Sequence, residues 1–195
     1  MKKVLLFLAD GFETLEAGAF IDVIGWNQVE GDSKTQLFSC GLRREVKSSF
    51  NQRVVVDYLI GDINPEEFDA LAIPGGFEEY GYYNDAYSDE FLKLIRIFNA
   101  HGKIIASVCV GSLPIARSGI LINRRATTYN KNTLRIEELA SYGVNVIEEP
   151  IVMDCNVITS WDPSTAADVA FLLLERLTTK MQSDYIRKIM GFKLK

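Results

Sequence analysis

The sequence predicts a doubly wound α/β fold with a mostly parallel sheet and helices on both faces. Short, wholly apolar runs alternate with segments of helical spacing, and segments rich in glycine and acid fall just after those runs. Residues 3–9 (KVLLFLA) form the first run, a strand covered on both sides. Residues 15–29 follow with helical spacing that puts Leu15, Ala19, Val23 and Trp26 on one side. Residues 36–39 and 54–56 read as short strands, with Asn51-Gln52 in the turn between Val46 and Val54. Residues 70–73 are a buried strand ended by Pro74-Gly75-Gly76, residues 88–100 a helix stopped by Gly102, and residues 103–108 a further buried strand. Helices are predicted over 110–117 and 132–142, then strands over 144–147, 151–153 and 157–160, the last two joined by the turn Asp154-Cys155-Asn156. Asp162 followed by Pro163 opens the last core helix, with Ala166, Ala170, Leu173, Leu174 and Leu177 as its apolar face.

The 195 residues suit one compact domain over 1–195, since no repeat, low-complexity tract or linker divides them. A formal net charge of -5 leaves no basic field for nucleic acid or an anionic membrane, so neither is an expected partner. The N-terminal apolar run is short, meets Asp10 and Glu13 at once and lacks a cleavage site. No other run is long enough to span a bilayer, so a cytoplasmic protein is expected. Three widely spaced cysteines, Cys40, Cys109 and Cys155, with no CxxC pair, argue against a disulfide framework or zinc site; no metal and no cofactor is expected.

Ligands of open α/β sheets bind beyond the carboxyl ends of the strands. Three segments fall there: DGFETLE, PGGFEEY and CVGS. In Ser107-Val108-Cys109-Val110-Gly111 the small residues two before and two after the cysteine permit a sharp strand–turn–helix elbow. A thiol at the start of a helix gains from its free N–H groups, which favour thiolate; the plainer reading is a small buried hydrophobe. Gly75 and Gly76 allow close approach of a ligand, and the N–H groups of Gly76 and Val110 are a candidate oxyanion hole, although the motif also suits a simple tight turn. Glu13 and Glu16 lie in the first turn of the opening helix. Either is solvated there, or one is buried beside Cys109, kept protonated and able to move protons. His101 reads as a surface residue at a helix end far from the elbow, and Tyr80, Tyr82, Tyr83 and Tyr87 as packing, interface or pocket wall.

The order DGFExxE, IPGG, ASVCVGS, GxLxxxRATTY and ITSWDPSTAADVAF resembles the ThiJ/PfpI superfamily, relatives of the class I glutamine amidotransferases, over about residues 3–177. The resemblance implies a flavodoxin-like fold, a core over those residues, a helical extension over 178–195 and a homodimer, whose interface the aromatic stretch 77–87 would supply. It carries the nucleophile or redox cysteine onto Cys109, the acid onto Glu16 and the oxyanion amides onto Gly76 and Val110. Three positions depart from the pattern: Val110 and Tyr129 stand where members carry histidine, and Trp161 where members near the parkinsonism-associated protein carry arginine. Tyr129 and Trp161 join Gly75 and Glu13 as candidate pocket residues. Glu79 resembles an acid lent across PfpI-type dimers, but there is no histidine for it to orient. Without a Cys-His dyad, peptidase activity is not expected. What the resemblance then implies is a glyoxalase- or deglycase-type enzyme acting on small reactive carbonyls. The alternative is a non-catalytic redox sensor or stress-protective chaperone in which an oxidant modifies Cys109.

Overall fold

The computed structural model describes residues 1–193. At its centre lies β1 (Lys2–Phe7), whose Val4, Leu5, Leu6 and Phe7 are all buried. It pairs in parallel with β2 (Thr35–Gly41) on one side and β6 (Ala70–Ile73) on the other. The sheet runs on from β6 through β7 (Ile104–Ser107) and β11 (Val157–Ser160), again in parallel, and closes with β10 (Ile151–Asp154), the one antiparallel member. A two-residue strand, β5 (Tyr58–Leu59), forms the opposite edge, giving the order β10-β11-β7-β6-β1-β2-β5. A separate hairpin, β3 (Glu45–Lys47) with β4 (Arg53–Val55), turns through Asn51 at φ +66°.

The strands' two-residue alternation feeds two cores. Val4, Leu6, Ala70, Ala72 and Ala106 face α1 (Thr14–Glu30), α6 (Ala166–Leu177) and α7 (Lys180–Ile189). Leu5, Phe7, Leu71, Ile73 and Ile105 face α3 (Asp89–Ala100), α4 (Ser112–Arg117) and α5 (Thr133–Ser141). With both faces covered, the strands read as continuous apolar runs. Helix starts follow local chemistry: Ser88 caps α3 by accepting from Phe91 N, and Asn132 caps α5 by accepting from Leu134 N. Asp162 and Pro163 open a 3-10 turn that runs into α6.

Several expectations are corrected. Of the predicted apolar face of α1, only Val23 is buried. The inward face is Glu16, Ala17, Phe20, Val23, Ile24 and Asn27, and Leu15 and Trp26 are exposed. The helix has apolar residues all round, so spacing alone could not select its core side. The aromatic stretch 77–87 is divided: Tyr82 is buried in α2 (Tyr82–Ala86), Tyr83 and Tyr87 are half-buried, and Phe77 and Tyr80 are exposed. The strand expected over 144–147 shortens to β9 (Asn145–Val146), which pairs with β8 (Arg125–Ala126) outside the main sheet. Within the extension, α7 packs Ile186 into the α1–α6 core, and residues 194–195 lie outside the described part. No helix of the described residues is long and apolar enough to cross a membrane.

Candidate active site

Three turns meet beyond the carboxyl ends of β1, β6 and β7. Phe12 and Gly76 form an isolated antiparallel bridge in which Glu13 N donates to Gly75 O (2.8 Å) and Phe77 N donates to Gly11 O (3.0 Å). The bridge uses the neighbours of Gly76, so Gly76 N–H donates to no backbone acceptor among the described residues. Gly76 must be glycine, since a Cβ there would lie 2.3 Å from both Gly11 O and Tyr82 Cδ2. Gly75 N donates to Glu16 Oε2 (2.6 Å), and Glu13 accepts from Glu16 N (2.8 Å) as the cap of α1.

Cys109 sits at φ +56°, a left-handed conformation that a non-glycine residue holds only when its surroundings impose it. A 3-10 turn, Cys109–Gly111, follows directly and leads into the six-residue α4, later and shorter than the helix expected over 110–117. The small flanking residues are a steric need: a Cβ on Gly111 would lie 2.6 Å from Ile73 O, and Ser107 is fully buried. The Cys109 carbonyl accepts from Ser112 Oγ (3.2 Å) and Thr128 Oγ1 (3.3 Å), which pins the elbow from both sides. A Cβ added to Gly75 would meet Cys109 Cβ at 3.0 Å, Glu16 Oε2 at 3.0 Å and Val110 N at 3.1 Å, so thiol, acid and amide converge on one point.

These groups open on a cavity of ≈ 270 Å³. Its lining brings together Cys109, Glu16, Glu13, Gly76, Val110 and Tyr129. Gly75 lies just behind them.

The profile of the DJ-1/PfpI family matches residues 2–176. The chain belongs to that family. An uncharacterised protein of Staphylococcus haemolyticus is 29% identical over 167 residues, covering 86% of this chain and 92% of the relative. A Pyrococcus abyssi protein named a deglycase is 26% identical over 161 residues, covering 83% and 90%. Among solved structures, Drosophila melanogaster DJ-1beta superposes with a TM-score of 0.86 at 23% identity, covering 99% of each chain. At that identity the likeness to DJ-1beta is one of fold.

Within the family frame, the residues of this chain set the electrostatics. Glu16 is fully buried, and that burial raises its pKa to about 8, against the pull of the Gly75 N–H. At neutral pH it is mostly a neutral carboxylic acid. The Cys109 thiol is pushed well above its ordinary pKa, first by burial and then by the charge of Glu16, while the Val110 N–H pulls it down. This corrects the expectation that the helix start favours thiolate. The turn offers few amides, and desolvation outweighs them. A neutral Glu16 removes the second cause and leaves burial and the charge of Asp162. The carboxyl and thiol interact, yet Glu16 Oε1 has no well-aligned hydrogen bond, so the two sit adjacent without a fixed bridge.

Trp161 does not reach this cavity; with Thr127, Asn130 and Glu148 it lines another, of ≈ 360 Å³. Its neighbourhood was misread because residue 161 leaves β11 on the side facing β8 and β9. Sequence reasoning also missed Arg135, Asn132 and Pro163 in the lining. Arg135 had one weak signal, an acid three residues on at Glu138, with which it pairs at 3.0 Å. His101 is exposed at the end of α3, and Cys155 is exposed in the β10–β11 turn at φ +51°. Cys40 is buried in β2, where burial pushes its thiol up. Among the described residues no cluster of three or more His, Cys, Asp or Glu could hold a metal ion.

Proposed function

We propose that this protein acts on small reactive carbonyls, with Cys109 as nucleophile and Glu16 as proton relay. The observation that carries the reading is a fully buried acid, of pKa about 8, in the same cavity as a thiol on a strained elbow. A group titrating near neutral pH can both give and take a proton. With methylglyoxal as example, the Cys109 S–H adds across the aldehyde: the S–C bond forms, the C=O π bond opens, and the thiol proton ends on the oxygen. The Gly76 and Val110 N–H groups would hold the charge that develops on that oxygen. Glu16 passes its proton to the neighbouring ketone oxygen and takes the proton from the former aldehyde carbon, giving an enediol. It then delivers that proton to the neighbouring carbon and regains one from the hydroxyl on the former aldehyde carbon, whose C=O re-forms. The product is a thioester of the hydroxy acid. Water cleaves its C–S bond, releasing lactate and restoring the thiol, so one dicarbonyl and one water give one hydroxy acid. Several curated relatives carry no assigned activity, and two Pyrococcus proteins are named deglycases, which supports carbonyl adducts as a related substrate class.

The raised thiol pKa bears on the redox-sensor alternative and on the carbonyl reading alike, because thiolate is the reactive form toward both peroxide and carbonyl, and turnover separates the two. Peptidase chemistry is not expected, since no histidine lines the cavity to pair with Cys109. Lactate formation from methylglyoxal tests the reading. Wild type should form it and Cys109→Ser should not; no lactate from wild type would return Cys109 to the sensor role.

We also propose a homodimer, built on the outer face of α1 rather than on the 77–87 stretch. Leu15, Trp26 and Val29 are exposed there beside Gly18 and Gly25, whose added Cβ atoms would meet nothing within 4 Å. Glycines seven apart between bulky side chains form the groove that a second copy's ridge would fill.

A further inference from the structure

We infer that the Cys109 cavity is a charge filter, admitting uncharged or cationic small carbonyls and repelling anionic ones such as 2-oxo acids. The inference rests on the carbonyl reading above and narrows its substrate class. The warrant is the charge of the lining. Besides neutral Glu16, three further acids face the cavity: Glu13, Glu78 and Glu79. Arg135 is the one cation among the lining residues, and its charge is already answered. Its guanidinium donates to Glu138 (3.0 Å) and to Glu78, and lies 4.6 Å from the centroid of the Tyr83 ring. Asp162 adds to the same field, since its charge opposes ionisation of both Glu16 and Cys109.

A neutral dicarbonyl enters such a cavity without penalty. A carboxylate meets a net negative wall with no free cation, and so does the hydroxy acid that the reaction would produce. The same field that rejects anionic substrates therefore favours product release. Glu78 and Glu79 are exposed, so solvent and salt screen much of the effect. Two net charges at the cavity mouth amount to a discrimination of about three- to tenfold at low ionic strength.

The test separates the filter from turnover. Native protein is alkylated in parallel with neutral iodoacetamide and anionic iodoacetate, in which the sulfur displaces iodide from the same carbon. Peptide mass spectrometry gives the amide-to-acid rate ratio at Cys109, normalised to exposed Cys155. The normalised ratio should be about three- to tenfold at low salt and fall toward one at roughly 0.5 M NaCl. It should also drop in Glu78→Gln and Glu79→Gln, whose side chains are exposed and whose fold should be unaffected. A ratio near one, or one that neither variant moves, overturns the filter. A preference for iodoacetate that disappears in Arg135→Gln would overturn it in the opposite sense, making Arg135 a recruiter of anions. Wild type inactive on methylglyoxal but with the ratio intact would remove the carbonyl reading alone; methylglyoxal turnover with a flat ratio would remove the filter alone.

Discussion

The inward face of α1 carries two fully buried polar side chains, Glu16 and Asn27, while its outward face leaves Leu15 and Val29 at 62% and 76% exposure. Burial of polar groups and exposure of apolar ones each cost stability, and the two faces answer that cost differently. Asn27 is fully compensated. Its Nδ2 donates to Thr35 Oγ1 (2.8 Å) and Asp32 Oδ1 (3.0 Å), and its Oδ1 accepts from Gln182 Nε2 (2.7 Å). Glu16 is only partly compensated: one oxygen is held by Gly75 N–H, and the other makes no well-aligned hydrogen bond beyond its contact with the Cys109 thiol. A helix that satisfies one buried polar group and leaves the other incompletely paired makes the second the one to test for a role in the proposed chemistry.

The largest expected effect comes from Glu16→Gln, which keeps the shape and the acceptor for Gly75 N–H but loses the transferable proton. Turnover of methylglyoxal should fall by about 10²–10⁴-fold. Stability should move the other way, with a pH signature. The unfolded acid ionises above its ordinary value of 4.5, whereas the folded one holds its proton to about pH 8. Between those values the native state binds the extra proton, so wild-type stability falls as pH rises through this window and levels off above it. The accumulated cost is on the order of 5 kcal/mol. An amide has no such cost, so Glu16→Gln should match wild type near pH 4.5 and melt higher at pH 8. Equal melting temperatures at both pH values would mean that Glu16 is not held neutral.

Asn27→Leu should do the reverse. Removing three hydrogen bonds and stranding Thr35 and Gln182 should cost about 2–4 kcal/mol in denaturant unfolding, with little change in kcat/KM. A large catalytic loss in a folded Asn27→Leu would erase the contrast between the two buried polar groups.

How far these features were legible in the sequence follows from the same helix. The alternation of apolar runs and helices conveyed the layered sheet because both faces of β1 are buried and its pattern admits no other reading. The elbow was legible because a steric rule fixes residue size at Ser107 and Gly111. The inward face of α1 was not, since hydrophobic spacing cannot announce a face built around Glu16 and Asn27. Nor was the direction of the thiol shift, because burial depends on chain segments far apart in sequence, those of Gly75 and Glu16 among them. Arg135 looked like any cation of a surface helix until its neighbours Glu78 and Tyr83 were placed beside it.

The outward face sets the smaller effects. Leu15→Asp combined with Trp26→Asp places two charges on the proposed interface and should convert a dimer into a monomer by light scattering at micromolar concentration. A wild-type protein that is already monomeric would remove the assembly and leave the exposed apolar face without a partner.

The smallest expected effect is on the activity of that monomer. Cys109, Glu16, Gly76 and Val110 all belong to one chain, and their cavity is built by turns that pack on their own sheet. Turnover per protomer in Leu15→Asp/Trp26→Asp should therefore stay within about twofold of wild type, inside the usual range for surface changes away from the site. The comparison has one point at which it can fail. The outer groove of α1, ≈ 940 Å³, shares Glu13 and Pro163 with the Cys109 cavity, so the two faces touch at the start of the helix. If dissociation lowers kcat well beyond twofold while the melting temperature measured at the same protein concentration stays close to that of wild type, the second copy steadies Glu13. Through the hydrogen bond from Glu16 N it would then steady Glu16 as well. The inward and outward faces would in that case form one functional unit, joined through the cap of α1.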